Sequence, residues 1–337
     1  MKRRFNSLSI YRIIAAICIL QFHIFYILFD RAIPYETLLS KAVQGLAVLS
    51  GFLYSQKIIK DYKNFYLGSL KKLFIPALVC FLFMAMWNLI YMLVFRNWDY
   101  ISLFFSHRAF ENGLLFQPAN YYFLLYIFIC YLITPILQKN NKYSLIVVIS
   151  IILIELSIAF FFNLGMIASC YLIGYYLGRK VFDKYVDTDT KFSLLRLSLL
   201  VLLTGIFVGL YVLIIKYPFR SGYFLTHLYF LSKNTIMSTF GAVSFLLIIY
   251  LLRFTNRYQE CKFFLYTDKL SYIFYLFNQA YLVGAMNVAS WVAPMWGKIL
   301  LVYAFVLITS IVMRLLIDKV PLLFAKINNR REINEEK

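Results

Sequence analysis

Ten apolar stretches, most of them close to twenty residues, recur along the chain, and few folds can accept such a series. They run over 8–29, 42–57, 74–95, 121–137, 144–161, 164–179, 193–215, 235–252, 270–290 and 297–317. A helix needs about 20 mostly apolar residues to cross a hydrocarbon layer about 30 Å thick. The full 337-residue chain is 62% hydrophobic and only 15% charged, with a mean hydropathy of +0.75. Soluble domains average about 45–50% apolar and about 25% charged, and none has interior enough to hide the difference. The expectation is an all-α, polytopic membrane protein with about ten transmembrane helices. Disordered, collagen-like and secreted disulfide-rich classes are excluded. No internal repeat or soluble domain interrupts the pattern. Residues 1–337 therefore read as a single integral-membrane domain, with 318–337 as a short charged cytoplasmic tail.

The net charge of +19 does not point to nucleic acid. In membrane proteins Lys and Arg report topology, because they collect on the cytoplasmic side. With the N-terminus placed in the cytoplasm, 25 of the 34 Lys and Arg residues fall on inner loops, tails and helix ends, and 8 fall outside. The remaining one, Arg12, lies within the first apolar stretch. This bias predicts an even number of crossings, cytoplasmic N- and C-termini, and a multi-pass protein of the cell membrane. The five cysteines form no CxxC pair, so a disulfide framework or a metal site is not expected.

Polar groups inside lipid are costly and mark function by default. Arg12 and His23 share the first stretch. Eleven residues at about 100° each bring them to one helix face, about 16 Å apart along the axis. That stripe suits a ligand entering the membrane plane, with a cation at the inner end and a titratable base further out. Histidine is the side chain suited to proton transfer near neutral pH; it also serves as interhelical packing glue. Glu155 lies within the fifth stretch and needs a partner that the sequence does not name. Lys71 and Lys72 precede Pro76, where a helix is expected to open. Such a pair suits an anion, either a ligand phosphate or lipid headgroups.

These pieces together resemble the integral-membrane acyltransferase-3 family, whose members acylate surface polysaccharides, lipopolysaccharides and peptidoglycan. Tyr11-Arg12 through His23 is similar to the family's first helix, with Arg and His at this spacing. Leu49-Ser50-Gly51-Phe52-Leu53 is similar to its Ser-Gly-Phe, and Lys71-Lys72 with Pro76 to its basic segment. Asn120-Tyr121-Tyr122-Phe123-Leu124, running to Thr134-Pro135, resembles its aromatic-Phe-Leu helix. Lys269-Leu270-Ser271-Tyr272 through Asn278 resembles its Ser-Tyr…Tyr-Leu…His pattern. There are departures. The family often has Asp three residues before the Arg, where this chain has Ser9. Its Arg-x-x-Arg positions are Ser69 and Lys72 here, and its late His is Asn278.

What the resemblance implies is transfer of an acyl group, most often acetyl, from cytoplasmic acetyl-CoA or another acyl-CoA to a sugar hydroxyl. The acceptor would be a cell-surface polysaccharide, such as a capsule, or a lipid-linked glycan. His23 would be the catalytic residue, either as the base that activates the hydroxyl or as the carrier of an acyl intermediate. Arg12, Lys71 and Lys72 would hold the donor's phosphates. Ser50, the Gly51 backbone and Tyr272 are candidate oxyanion donors, and Tyr122 and Ser271 complete the implied substrate-binding set. No metal is expected. A polysaccharide transporter or polymerase of the envelope is the alternative. It would be expected to carry more charge along pore-lining helices.

Overall fold

The computed structural model describes residues 5–29, 36–96, 118–139, 142–162, 165–186, 192–219, 221–258, 262–282 and 286–335. No strand occurs among them. The helices are α1 (Asn6–Leu28), α2 (Glu36–Ser40), α3 (Ala42–Tyr54), α4 (Tyr62–Phe95), α5 (Pro118–Lys139), α6 (Lys142–Phe162), α7 (Ile167–Val186), α8 (Leu194–Lys216), α9 (Tyr223–Leu252), α10 (Lys262–Leu276) and α11 (Met295–Glu335). Short 3-10 turns cover Arg253–Arg257 and Val288–Trp291.

Seven stretches among the described residues are long and apolar enough to cross a membrane: Asn6–Leu28, Thr37–Tyr54, Tyr62–Phe95, Lys142–Phe161, Leu194–Lys216, Tyr223–Arg257 and Met295–Lys319. The other three expected segments fall on α5, α7 and α10. The apolar part of α5 is short, Tyr126–Lys139. The last turns of α7 are basic, with Arg179, Lys180 and Lys184. The expected segment 270–290 is not one helix: α10 stops at Leu276, and the chain turns through Phe277–Leu282. The expected tail, 318–337, continues α11 as helix to Glu335.

A helix opening at Pro76 is also corrected. α4 begins at Tyr62 and carries Pro76 inside it. Proline removes an N–H and strains the preceding turn. In a lipid-embedded bundle neighbouring groups can satisfy the freed carbonyls. The carbonyl that loses its helical donor is that of Lys72, four residues before Pro76; the Tyr272 hydroxyl donates to the next carbonyl in that turn, Leu73, at 2.8 Å. The arrangement repeats at Pro135 inside α5, where the Tyr66 hydroxyl donates to the carbonyl of Leu132 at 3.1 Å.

The chain packs as two compact units. The first comprises 1–22, 33–69 and 122–268; the second comprises 23–32, 70–121 and 269–337. In the first, α3 lies against α7 with backbone touching backbone. A Cβ on Gly51 would sit 2.0 Å from the carbonyl oxygen of Tyr171, and one on Gly174 would sit 2.0 Å from that of Val48. Close approach of this kind replaces the hydrophobic drive that helices lack in lipid. Around the seam Cys130, Leu137, Tyr171, Leu172 and Tyr175 form a buried cluster. Asn256 ties three ends together: its Oδ1 accepts from the Ser7 amide at the start of α1, and its Nδ2 donates to the carbonyl of Val186 at the end of α7. In the second unit Phe277 stacks with Tyr281 and meets Phe83 edge-on. The Tyr281 hydroxyl pairs with that of Thr309. The outward faces are apolar, as on α6, where Leu145, Ile146, Ile149, Leu153 and Ile154 are exposed. Such a surface belongs in lipid rather than water.

Candidate functional site

Within the first unit, Arg12 is held by a carboxylate remote in sequence. Its Nη1 lies 2.8 Å from both carboxylate oxygens of Asp268 on α10. The Arg12 side chain keeps 35% of its surface exposed, against 12% for Asp268. The other guanidinium nitrogens make no hydrogen bond among the described residues, so a half-open cationic edge is presented in fixed orientation. Two phenols sit within reach of its charge, those of Tyr54 and Tyr131. Their rings are 4.4 Å apart. The Tyr131 hydroxyl bonds with the side chains of Ser50 and Tyr54, and Tyr54 bonds with Ser69. Ser50 itself donates to the carbonyl of Leu46 at 2.9 Å. The structure therefore gathers Arg12, Ser50, Tyr54, Ser69, Tyr131 and Asp268 into one polar group. Gly51 follows Ser50, and its lack of a side chain admits α7 (its amide belongs to the interior of helix α3).

Within the second unit, His23 is buried, with 7% of its surface exposed. The Gln279 amide nitrogen contacts both ring nitrogens, at 3.2 Å from Nε2 and closer to Nδ1. Gln279 stands in the turn that interrupts the segment expected as a helix. Asn278, beside it, is fully buried. Ser271 is buried on α10, and Tyr272 is engaged with Leu73. Lys71 and Lys72 lie exposed on α4. Tyr122 falls on α5, but its side chain lies outside the described residues.

Glu155 has a structural partner. Its two carboxylate oxygens accept from the amides of Ala168 at 2.7 Å and Ser169 at 2.6 Å, the second and third residues of α7. The first amides of a helix lack intrahelical partners and carry positive partial charge. A buried carboxylate from α6 therefore caps α7 and fixes the helix that receives Gly51. Glu155→Gln replaces one acceptor with an N–H facing an N–H. We expect a stability loss of about 1–3 kcal/mol. Thermal unfolding of the purified protein in detergent would read it, with turnover per folded molecule unchanged.

A family model described as the acyltransferase domain matches residues 5–315, nearly the whole chain. The chain belongs to the acyltransferase-3 family. It is a membrane acyltransferase with several apolar helices, a multi-pass protein. Comparison with curated proteins and with solved structures returns no match. Two residues that hold the acyltransferase's candidate groups were not legible beforehand. Asp268 sits one residue before Lys269 at the edge of an apolar segment, where an acid reads as a loop residue. Gln279 sits in mid-segment among apolar residues, and an uncharged amide there gives only a weak signal. Tyr54 and Tyr131 were hidden among the 28 tyrosines of the chain.

Proposed function

We propose that this acyltransferase moves an acetyl group from cytoplasmic acetyl-CoA to a sugar hydroxyl of a cell-surface or lipid-linked polysaccharide. The observation that carries the reading is a single continuous helix, α1, bearing both a carboxylate-held guanidinium and a buried imidazole. Arg12 binds phosphate of the donor through its open edge, since guanidinium–phosphate contacts are charge-assisted and directional. Lys71 and Lys72 add cationic contacts as point charges. His23 takes the proton of the sugar hydroxyl as its oxygen attacks the thioester carbonyl. The tetrahedral intermediate collapses, the C–S bond breaks, and the coenzyme A thiolate regains the proton from the imidazolium. The products are an ester and free thiol. Hydroxyls such as that of Tyr131 beside Ser50 are the donors best placed near Arg12 to orient the donor end. About ten crossings with both termini in the cytoplasm put His23 outward of Arg12. The acetyl group then passes to an outward-facing or lipid-linked glycan.

The test compares the surface glycan with and without the gene, by NMR and by mass spectrometry after mild base. Loss of a base-labile acetyl with chain length intact supports the proposal. Loss of polymer would move the reading to transport or polymerisation. An unchanged glycan would overturn it.

A further inference from the structure

A half-buried lysine stands at the head of α3, within the first unit. Lys41 precedes Ala42 with helical dihedral angles, and no carboxylate pairs with its side chain among the described residues. Its charge lies within reach of Lys233 on α9 and of Cys170 on α7. Cys170 in turn donates from Sγ to the carbonyl of Ser238 on α9 at 3.6 Å, so α3, α7 and α9 meet around the Lys41 side chain. Glu155, whose charge also reaches Cys170, is committed to the α7 amides through both oxygens. Gln44 follows Lys41 by three residues, on the same side of α3. Its side chain passes between two glycines. A Cβ on Gly241 would sit 2.7 Å from Gln44 Cβ, and one on Gly165 would sit 2.9 Å from Gln44 Nε2. Gln44 is 5% exposed, and its Oε1 has no hydrogen-bond partner among the described residues. Like charges in lipid are costly without an anion between them, and a buried carbonyl oxygen is costly without a donor. Both deficits fall on one face of α3.

We propose that Lys41 and Gln44 form a subsite for an anionic sugar of the acceptor: the Lys41 ammonium donates to a carboxylate or phosphate oxygen, and Gln44 Oε1 accepts from a neighbouring sugar hydroxyl. An ammonium–oxyanion contact is charge-assisted, and the positive charge of Lys233 adds to the attraction without touching the ligand. The proposal rests on the acyl-transfer reading for the identity of the ligand as acceptor. With the N-terminus in the cytoplasm, α3 is the second crossing and begins on the outer side, where that acceptor approaches. The anion has two sources, the sugar–phosphate linkage of a lipid-linked glycan or the carboxylate of an acidic sugar, and the same cation serves either.

The test is binding to the purified full-length protein in detergent, with no acyl donor present. The probes are glucose 1-phosphate and glucuronic acid, with sodium sulfate at matched ionic strength as the control. A ligand that binds the folded state raises its unfolding temperature. At least one probe should raise it with saturation, and which one does so identifies the source of the anion. Sulfate should not. Lys41→Met should weaken the effective probe about tenfold or more, and Lys41→Arg should keep most of the affinity. Gln44→Met removes the unpaired oxygen at nearly constant volume. It should raise the unfolding temperature of the free protein while weakening the probe about threefold to tenfold. A residue that serves packing alone would not couple those two changes. No rise with either probe, an equal rise with sulfate, or unchanged affinity in Lys41→Met would overturn the proposal. Acetylated glycan together with no probe binding would overturn the subsite and leave acyl transfer standing. Binding that depends on Lys41 would support the subsite even where the glycan comparison goes against acyl transfer.

Discussion

His23→Ala should abolish acyl transfer while the protein accumulates normally in the membrane. General-base assistance is worth about 10²–10⁴-fold, and a sugar hydroxyl is a weak nucleophile without it. The loss should fall on kcat, because Arg12 and Asp268, which we assign to donor binding, pack in a different unit of the molecule and are untouched. Donor KM should stay within about twofold under slow chemistry. His227 supplies the contrast. Its Nδ1 meets the carbonyl oxygen of Phe160 at 2.8 Å, and its ring packs among Phe160, Phe161 and Tyr223. It is committed to packing, so His227→Ala should lower stability and spare turnover per folded molecule. Glycan acetylation persisting in cells that carry His23→Ala at normal protein levels would remove His23 from the chemistry.

The pattern of legibility has a physical cause. Hydropathy reports where lipid can be, and α1, α6 and α8 matched the expected segments to within two residues at each end. It is blind to whether an apolar run stays helical. Residues 270–290 are as apolar as a spanning helix, yet Asn278 and Gln279 sit in a turn whose polar groups are buried. Pro76 misled for a related reason. The rule that proline opens helices comes from soluble proteins, where water takes up the freed backbone groups and a helix can simply end; in lipid the helix continues and protein groups bond its backbone instead, as the Tyr272 hydroxyl does at the carbonyl of Leu73. For the site, the Arg12-to-His23 spacing was readable because one helix sets it. The partners were not, because Asp268 and Gln279 each lie 256 residues from the group they hold. Sequence spacing carries no information about contacts made across a bundle.

Gly51→Val should prevent assembly of the first unit. A Cβ at this position would lie 2.0 Å from the carbonyl oxygen of Tyr171 and 2.7 Å from the amide nitrogen of Tyr175. Both are backbone atoms of α7 and cannot swing aside as a side chain would. The helices must part by an ångström or more, and the separation extends along the seam through Gly174 and Gly178. Inserting volume into a tight core costs about 1–3 kcal/mol even where atoms can shift, and here the contact is backbone to backbone. Little folded Gly51→Val protein should be recovered from membranes. Gly51→Ala is the milder probe. It should survive with a lowered unfolding temperature, and so should Gly174→Ala, whose Cβ would meet the carbonyl oxygen of Val48 at 2.0 Å. The double variant is the sharper measurement. One outward shift of α7 relieves both clashes, so the combined loss should fall short of the sum of the single losses. Full additivity would show that the two glycines do not share a seam. Ser50 lies beside Gly51 and bonds with Tyr131, so the same shift should also disturb the hydroxyl group around Arg12. Surviving Gly51→Ala protein should therefore show a raised donor KM in proportion to its lost stability. An unchanged KM in a clearly destabilised protein would separate the packing of α3 on α7 from donor binding.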